Sequence, residues 1–205
     1  MRHLRDHQAA LLYVPAASPV PRREAPRARP QRLVWPDDAT TLGGRRYFLL
    51  MVDDASHFMW VALLPTKDTA ADAIKKIKAE TEESSHALKV LRTDNGGEFI
   101  VTEFTNYCAG EGVQRHFTAP YLPQQNDVVE RRNQTVVATD RALLKHRRMS
   151  AKYWGETVMM VVHLLNRSPT KSLQGKTPYE AWHGRAASMS YLKVFGCIAY
   201  AKDLG

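Results

Sequence analysis

The 205-residue sequence predicts an α/β fold in which helices flank a mixed central sheet. Short apolar runs of strand length, such as residues 47–52, alternate with longer stretches that are apolar at helical spacing, such as residues 67–85. The length suffices for one domain with its own core and a tail. We therefore expect a folded unit at residues 43–205, preceded by a tail at residues 1–42.

The first 42 residues hold six of the eleven prolines and seven arginines, and they show little hydrophobic periodicity. A segment of this composition buries too little apolar surface to fold, so we expect it to be disordered. Its basic run at residues 22–29 is typical of an arm that binds nucleic acid or directs nuclear import. A tail without a function is the alternative.

The first folded element is a predicted hairpin. Residues 47–52 and 58–64 are rich in apolar and aromatic side chains, and the polar residues 53–57 between them predict the turn. Asp53 and Asp54 are candidate metal ligands, but carboxylates also stabilise turns by hydrogen bonding to nearby backbone groups. We favour the turn role for both residues.

A helix predicted at residues 67–85 follows the hairpin. Its apolar positions share one face, and they are Ala70, Ala73, Ile74 and Ile77. We expect Lys75, Lys76 and Lys78 to lie on the solvent-exposed side of this helix. The next predicted elements are a strand at residues 87–92, a short helix around Phe104 and a strand at residues 113–117.

A long helix is predicted at residues 128–146. Its apolar side is expected to comprise Val129, Val136, Val137, Ala138, Leu143 and Leu144. Its basic side chains predict contacts with nucleic-acid phosphates, and a solvated helix face is the alternative. These basic residues are Arg131, Arg132, Arg141 and Lys145. A helix at residues 153–166, a helical turn from residue 177 and a final strand at residues 194–200 complete the predicted elements.

Two carboxylates stand out because of the elements that carry them. Asp94 follows the strand predicted at residues 87–92, and Glu130 lies in the first turn of the long helix. Acids at such positions can converge at the edge of an open α/β sheet, where ligands bind. Converging carboxylates repel each other unless they share a cation, and Mg²⁺ or Mn²⁺ held there would support phosphoryl transfer. Two solvated surface acids are the alternative.

Several motifs around this acid pair occur in a characteristic order. They are RTDNGGEF at residues 92–99, TAPYLPQQN at 118–126, VVERRN at 128–133, KYWGE at 152–156, LLNRSPTKSL at 164–173, KTPYEAW at 176–182 and YLKVFGC at 191–197. Together they resemble the integrase catalytic core of copia-type long terminal repeat retrotransposons, a part of a Pol polyprotein that is related to retroviral integrases.

The resemblance implies a ribonuclease H-like fold and a polynucleotidyl transferase that uses two Mg²⁺ or Mn²⁺ ions. It makes Asp94 the second and Glu130 the third of three catalytic, metal-binding acids. It also implies that a loop beside the active site engages DNA, and the loop residues are Gln124, Gln125 and Asn126. One departure from the family pattern is Asp127, which replaces a Gly. Asp favours a helix start and adopts fewer backbone conformations than Gly.

The first of the three acids is missing. The resemblance aligns Arg32 with that acid, and Asp37 and Asp38 lie several residues too late to replace it. Residues 28–36 can be written with codons that, read one nucleotide later, give Leu-Val-His-Ser-Asp-Leu-Cys-Gly, which resembles the family's first strand. Residues 1–8 can also be written with codons that, read one nucleotide later, give Cys-Asp-Thr-Cys-Val-Thr-Thr, which resembles the Cys pair of the family's zinc-binding module. We infer an out-of-frame tail and a core that lacks its first strand.

The sequence therefore predicts a retrotransposon integrase core for DNA integration, inactive and truncated at its carboxyl end. A non-catalytic nucleic-acid-binding remnant or a pseudogene product is the alternative. The expected partners are element DNA ends, target DNA and further copies of the chain, in agreement with a net charge of +8. No apolar run has the length of a membrane span. The lone thiols of Cys108 and Cys197 favour an intracellular location, in the nucleus or the cytoplasm.

The out-of-frame origin of the tail can be tested on the encoding DNA. We expect the codons of residues 28–36, read one nucleotide later, to specify the family's first strand with its acid. Codons that do not permit this shifted reading would contradict the hypothesis.

Overall fold

The structure is a computed structural model that describes residues 11–12, 40–83, 86–93, 102–117, 127–198 and 200. For Leu11, Leu12, Phe117, Asp127, Val128 and Glu130 it describes the backbone alone. The strands in this part of the chain are β1 (Leu11–Leu12), β2 (Tyr47–Val52), β3 (Met59–Leu64), β4 (Val90–Thr93) and β5 (Gln114–Phe117). The α-helices are α1 (Ala70–Glu83), α2 (Thr102–Gly110), α3 (Asp127–His146), α4 (Trp154–Asn166) and α5 (Pro178–His183).

The strands form two adjoining sheets. β1, β4 and β5 are parallel in the order β1-β4-β5, and β2 and β3 form an antiparallel hairpin. β1 also contacts β2, so the hairpin lies beside the parallel strands. The α/β fold class is confirmed, and the predicted hairpin is present with its turn at residues 53–57.

β2 is buried on both faces because its side chains alternate between two cores. Leu49 and Met51 pack into one core with α1 and α2, whereas Phe48, Leu50 and Val52 pack into another with α3 and α4. Alternate side chains of a strand point to opposite faces, so one strand can serve two layers of helices. The result is a helix–sheet–helix sandwich with the hairpin in its middle layer.

The first core confirms the predicted apolar face of α1 and corrects its predicted solvent side. All four apolar positions predicted for this helix are buried. Lys78, however, is only 3% exposed. Its Nζ donates hydrogen bonds to Glu82 Oε1 at 2.6 Å and to Glu111 Oε2 at 2.7 Å. Two carboxylates satisfy the buried ammonium, which explains how a lysine predicted to be solvated enters the protein interior.

The second core joins β2 to α3 and α4. Of the apolar residues predicted on α3, Val129, Val136 and Leu144 are buried, whereas Ala138 is exposed. The prediction for Ala138 is wrong because this residue lies two positions after Val136, and two positions correspond to a rotation of about 200° around the helix axis. Gly155 of α4 approaches β3 so closely that a Cβ atom there would lie 2.8 Å from Leu63 Cδ1.

The carboxyl end of α4 is attached to the start of β3 by one side chain. The backbone N–H of Met59 donates to Asn166 Oδ1 at 2.9 Å, and Asn166 Nδ2 donates to the Met59 carbonyl at 2.8 Å. Both atoms of the amide are used, and Asn166 is only 4% exposed. The side chain therefore takes the place that a neighbouring strand would occupy opposite Met59.

α5 begins at the predicted position and closes one end of the hairpin. Thr177 caps it: the Glu180 N–H donates to Thr177 Oγ1 at 3.0 Å, and the Thr177 N–H donates to Glu180 Oε2 at 2.8 Å. Trp182 of α5 is buried, with its ring centroid 4.1 Å from that of His86 and 4.8 Å from that of Trp60. These aromatic contacts hold α5 against the sheet.

The strand predicted at residues 194–200 is absent from the described residues 194–198 and 200. Val194 is 64% exposed and Ile198 is 81% exposed. The Cys197 N–H donates to the Val194 carbonyl at 3.1 Å, and Gly196 adopts a positive φ of 71°. A turn with this backbone conformation interrupts the extended pairing that a strand requires, despite the apolar composition.

The tail is represented by β1 and by its last residues. Leu11 and Leu12 lie opposite Arg92 and Thr93 of β4 in parallel register. Thr41 is 5% exposed and begins the folded region, because its Oγ1 accepts a hydrogen bond from the Arg45 N–H at 2.9 Å. The remaining residues of the predicted tail, including Arg32, Asp37 and Asp38, lie outside the described part, and its disorder stays a prediction.

The described part of the chain contains no candidate membrane-spanning helix. None of its helices combines the length and the apolar character needed to span a bilayer.

α3 also buries a carboxylic acid. Asp140 is 0% exposed, and neither of its carboxyl oxygens has a hydrogen-bond partner among the described residues. Burial raises the pKa of Asp140 from 3.8 to about 7, and the nearby charge of Arg141 opposes this change only in part. A buried carboxylate without a hydrogen bond is costly, so the protonated acid is favoured in the folded state.

We expect replacement of Asp140 by Ala to stabilise the chain at pH 8 and to have less effect near pH 5. Because the pKa of Asp140 is raised from 3.8 in the unfolded chain to about 7 in the folded chain, the free energy of unfolding is highest below pH 3.8. It falls as the pH rises from 3.8 to about 7. The loss is at most about 1.4 kcal/mol for each pH unit in that interval. Thermal melts from pH 4 to pH 8 would measure it. Asp72→Ala, at an exposed carboxylate, is the matched control, and equal pH dependence of Asp140→Ala and the unmodified chain would contradict the expectation.

Candidate active site

The structure describes some of the predicted site residues and not others. Arg131, Arg132, Arg141 and Lys145 are described in full on α3. Glu130 is described by its backbone, in the first turn of α3. The predicted metal ligand Asp94 and the predicted loop residues Gln124, Gln125 and Asn126 lie outside the described residues. The geometry around the predicted site is therefore described from the neighbouring elements, which are the hairpin turn, the end of β4 and the start of α3.

The turn between β2 and β3 is a compact hydrogen-bonded unit. Asp53 is 1% exposed, and its Oδ2 accepts hydrogen bonds from the Ser56 N–H at 2.7 Å and the Ser56 hydroxyl at 2.6 Å. The His57 N–H donates to the Asp53 carbonyl at 2.8 Å, with His57 at a positive φ of 56°. These bonds agree with the turn role expected for Asp53.

The same turn contacts the end of β4. Arg92 Nη1 lies 3.7 Å from Asp54 Oδ2, and both side chains are partly exposed. Burial raises the pKa of Asp54, the charge of Arg92 opposes this change, and neighbouring Asp53 adds to it. Arg92 lies two residues before Asp94. The contact therefore places the carboxyl end of β4 beside the turn.

The first turns of α3 approach the turn from another side. Val129 is buried in the same core as Val52 and Met59, the residues that end β2 and begin β3. Burial lowers the pKa of His57, and the positive charge of Arg132 lowers it further. Arg132 lies two residues after Glu130. The start of α3 therefore lies next to the hairpin turn as well.

These contacts bring the neighbourhoods of the two predicted acids to one place. The hairpin turn contacts Arg92 on β4, and the charge of Arg132 on α3 lowers the pKa of His57 in the turn. Each of these arginines is two residues from a predicted acid. The sequence predicted a turn role for Asp54, with metal binding as the alternative, and did not predict a role for Arg92 or His57. The position of Arg92 beside Asp94 in the RTDNGGEF motif was the available signal.

The basic residues of α3 divide between two sides of the helix. Arg131 and Lys145 are exposed and Arg141 is half-buried, and at 3.6 residues per turn the three lie within about 80° of one another. Arg132 lies about 100° from Arg131 around the helix axis, on the side of the hairpin turn, and burial lowers its pKa. The only acid between Arg131 and His146 is Asp140, which is buried. The exposed residues of α3 from Arg131 to His146 therefore combine basic side chains with uncharged ones and include no acid.

Comparison with known proteins decides the family. Residues 29–123 match the family of the integrase core domain. A retrovirus-related Pol polyprotein from transposon TNT 1-94 of Nicotiana tabacum is 41% identical over 167 residues, which is 81% of this chain and 13% of the polyprotein. The chain belongs to the integrase core family. The family resemblance inferred from the motifs is thus confirmed.

Further relatives of this integrase core are also polyproteins. The retrovirus-related Pol polyprotein from transposon RE2 of Arabidopsis thaliana is 30% identical over 82% of this chain and 11% of the polyprotein. The Gag-Pol polyprotein of koala retrovirus is 33% identical over 69% of this chain and 8% of that polyprotein. The chain spans no more than 13% of the length of these relatives. The match to the family begins at residue 29 and so includes Arg32.

Integrase core domains in general use divalent metal ions. In the described part of the chain, no three His, Cys, Asp or Glu side chains form a group that could hold one. The chemistry of the two predicted ligands fits such an ion, since Mg²⁺ and Mn²⁺ prefer carboxylate oxygens. Asp94 lies outside the described residues and Glu130 is described by its backbone alone, so their role as metal ligands stays a prediction.

Proposed function

We propose that this integrase core binds DNA and carries a degenerate catalytic site for polynucleotidyl transfer. The observation that supports the site is the convergence of β4 and α3 on the hairpin turn, through the contact of Arg92 with the turn and the burial of Val129 in the core beside it. Asp94 and Glu130 are the acids next to these residues, and they are the proposed catalytic metal ligands. Arg32 stands where the family has its first acid, so the ligand set is incomplete.

The proposed chemistry assigns distinct tasks to the groups at the site. Divalent cations held by Asp94 and Glu130 would stabilise negative charge at a phosphodiester under attack by water or a 3′-hydroxyl. Arg92 and Arg132 add positive charge beside the two acids and favour the approach of a phosphate. Loss of one acid leaves these phosphate-binding groups in place. Binding of DNA therefore survives the loss of strand transfer.

The DNA partner is supported by the charge of α3. Arg131 and Lys145 are separated by 14 residues, or about 21 Å along the helix axis. A basic face of this length matches several successive phosphates of a duplex, which are spaced about 3.4 Å along each strand. Contacts between basic side chains and phosphates carry no sequence information, so the proposed DNA binding is independent of the DNA sequence. Element ends and target DNA are the proposed ligands, with action inside the cell in the nucleus or cytoplasm.

Calorimetric titration with Mn²⁺ tests the catalytic part of the proposal. We expect one weak site in the unmodified chain, because two acids of three remain, and we expect Asp94→Ala to abolish it. Asp72→Ala, at an exposed carboxylate of α1, is the control and is expected to leave the heat unchanged. Two ions that both disappear in Asp94→Ala would show that another carboxylate replaces the first acid and that the site is not degenerate.

Binding to a short DNA duplex at several salt concentrations tests the second part. The double substitution Arg131→Ala and Lys145→Ala is expected to weaken binding and to reduce the slope of log K against log salt by roughly 2. The double substitution Lys171→Ala and Lys176→Ala removes the same charge from an exposed loop and serves as the control. Equal losses in the two double variants would mean that α3 does not form the DNA surface.

A further inference from the structure

The outer edge of β3 is only partly closed. β2 pairs with one edge of β3, and Asn166 bonds the N–H and carbonyl of Met59 on the other edge. Backbone groups alternate between the two edges of an antiparallel strand, so those of Val61 and Leu63 also point outward. Among the described residues, no hydrogen bond to the backbone of Val61 or Leu63 crosses this edge.

A cavity of about 380 Å³ runs along this edge, between β3 and α1. Four charged side chains line it, and they are Arg45, Asp72, Lys76 and Glu80. The four central residues of β3 are half-buried, whereas Met59 and Leu64 at its ends are buried. An open strand edge above a cavity is a surface on which another extended strand can pair.

We propose that the occupant of this edge is β3 of a second copy of the chain, paired antiparallel about a twofold axis at Ala62. Val61 then lies opposite Leu63 of the second copy, and the reverse pair follows by symmetry. Each of these two pairs exchanges two backbone hydrogen bonds. The outward-pointing backbone N–H and carbonyl groups of Val61 and Leu63 in one copy thus bond to the same groups in the other copy.

The next pair along the strands supports this register. It places Met59 of one copy opposite Pro65 of the other. The Met59 backbone groups are already bonded by Asn166, and Pro65 has no N–H to donate. Neither residue therefore requires a partner across the axis. The pairing therefore ends without an unsatisfied donor on either side.

Charge also favours a second copy. α1 runs back along β3, so Arg45 lies near the Leu64 end of the cavity and Glu80 lies near the Trp60 end. Antiparallel pairing brings the Arg45 end of one copy to the Glu80 end of the other. Two basic and two acidic residues line each cavity, so the joined surface carries no net charge. This surface is separate from the basic face of α3 and does not depend on the proposed DNA binding.

Disulfide trapping tests the pairing and its register. In a Cys197→Ser background, Ala62→Cys places two thiols across the axis in a non-hydrogen-bonded pair, where Cα atoms are about 4.5 Å apart and a disulfide can form. We expect mild oxidation to crosslink this variant at least tenfold faster than Ala142→Cys, which carries its thiol on the exposed side of α3. Equal rates for the two variants would overturn the proposal.

Val61→Pro provides an independent measurement. The substitution removes an N–H that points away from β2, so the hairpin keeps its hydrogen bonds. Sedimentation is expected to show dimers of the unmodified chain and monomers of Val61→Pro, with a cooperative thermal melt in both. An unmodified chain that sediments as a monomer at every concentration would refute the proposal even if Val61→Pro does not fold.

Discussion

The fold depends on the burial of β2 between two layers of helices. Its six residues supply side chains alternately to the α1–α2 core and to the α3–α4 core, so neither core is complete without this strand. The same strand ends at the turn that meets β4 and α3. Packing and site formation therefore share one element, and a shift of its register by one residue would exchange the two cores and displace the turn.

α3 combines three environments around one helix. Its buried side carries Val129, Val136 and Asp140, an acid without a hydrogen-bond partner among the described residues. Arg132 lies toward the hairpin, and Arg131 and Lys145 lie on the exposed side. The buried acid weakens the packing of the helix whose basic face we assign to DNA. Since bound phosphate would stabilise the folded state by mass action, the ligand and the helix support each other. Conversely, a change that weakens the packing of α3 is expected to lower the affinity of the surface that this helix presents.

The sequence predicted the regular elements well because their apolar residues are periodic. The faces of α1 and α4 and the hairpin follow directly from that periodicity. It failed for Lys78, because one of the two glutamates that bond it, Glu111, lies 33 residues away in the sequence, beyond the helix that carries Lys78 and Glu82. It failed for residues 194–200, where apolar composition suggested a strand and a glycine turn is present. Asp94 and Glu130 were predicted from motifs, whereas the contact of Arg92 with the hairpin turn required knowledge of which elements meet.

Gly155 lies where α4 approaches the hairpin and the start of the folded region. A single added carbon at this position would meet both Thr41 Cγ2 at 2.7 Å and Leu63 Cδ1 at 2.8 Å. Substitution at Gly155 therefore requires the side chains of Thr41 and Leu63 to move. Ala138, on the exposed side of α3, carries no such constraint. Among related copies of such an element, the codon for Gly155 is therefore expected to change more slowly than the codon for Ala138 for as long as selection acts on folding.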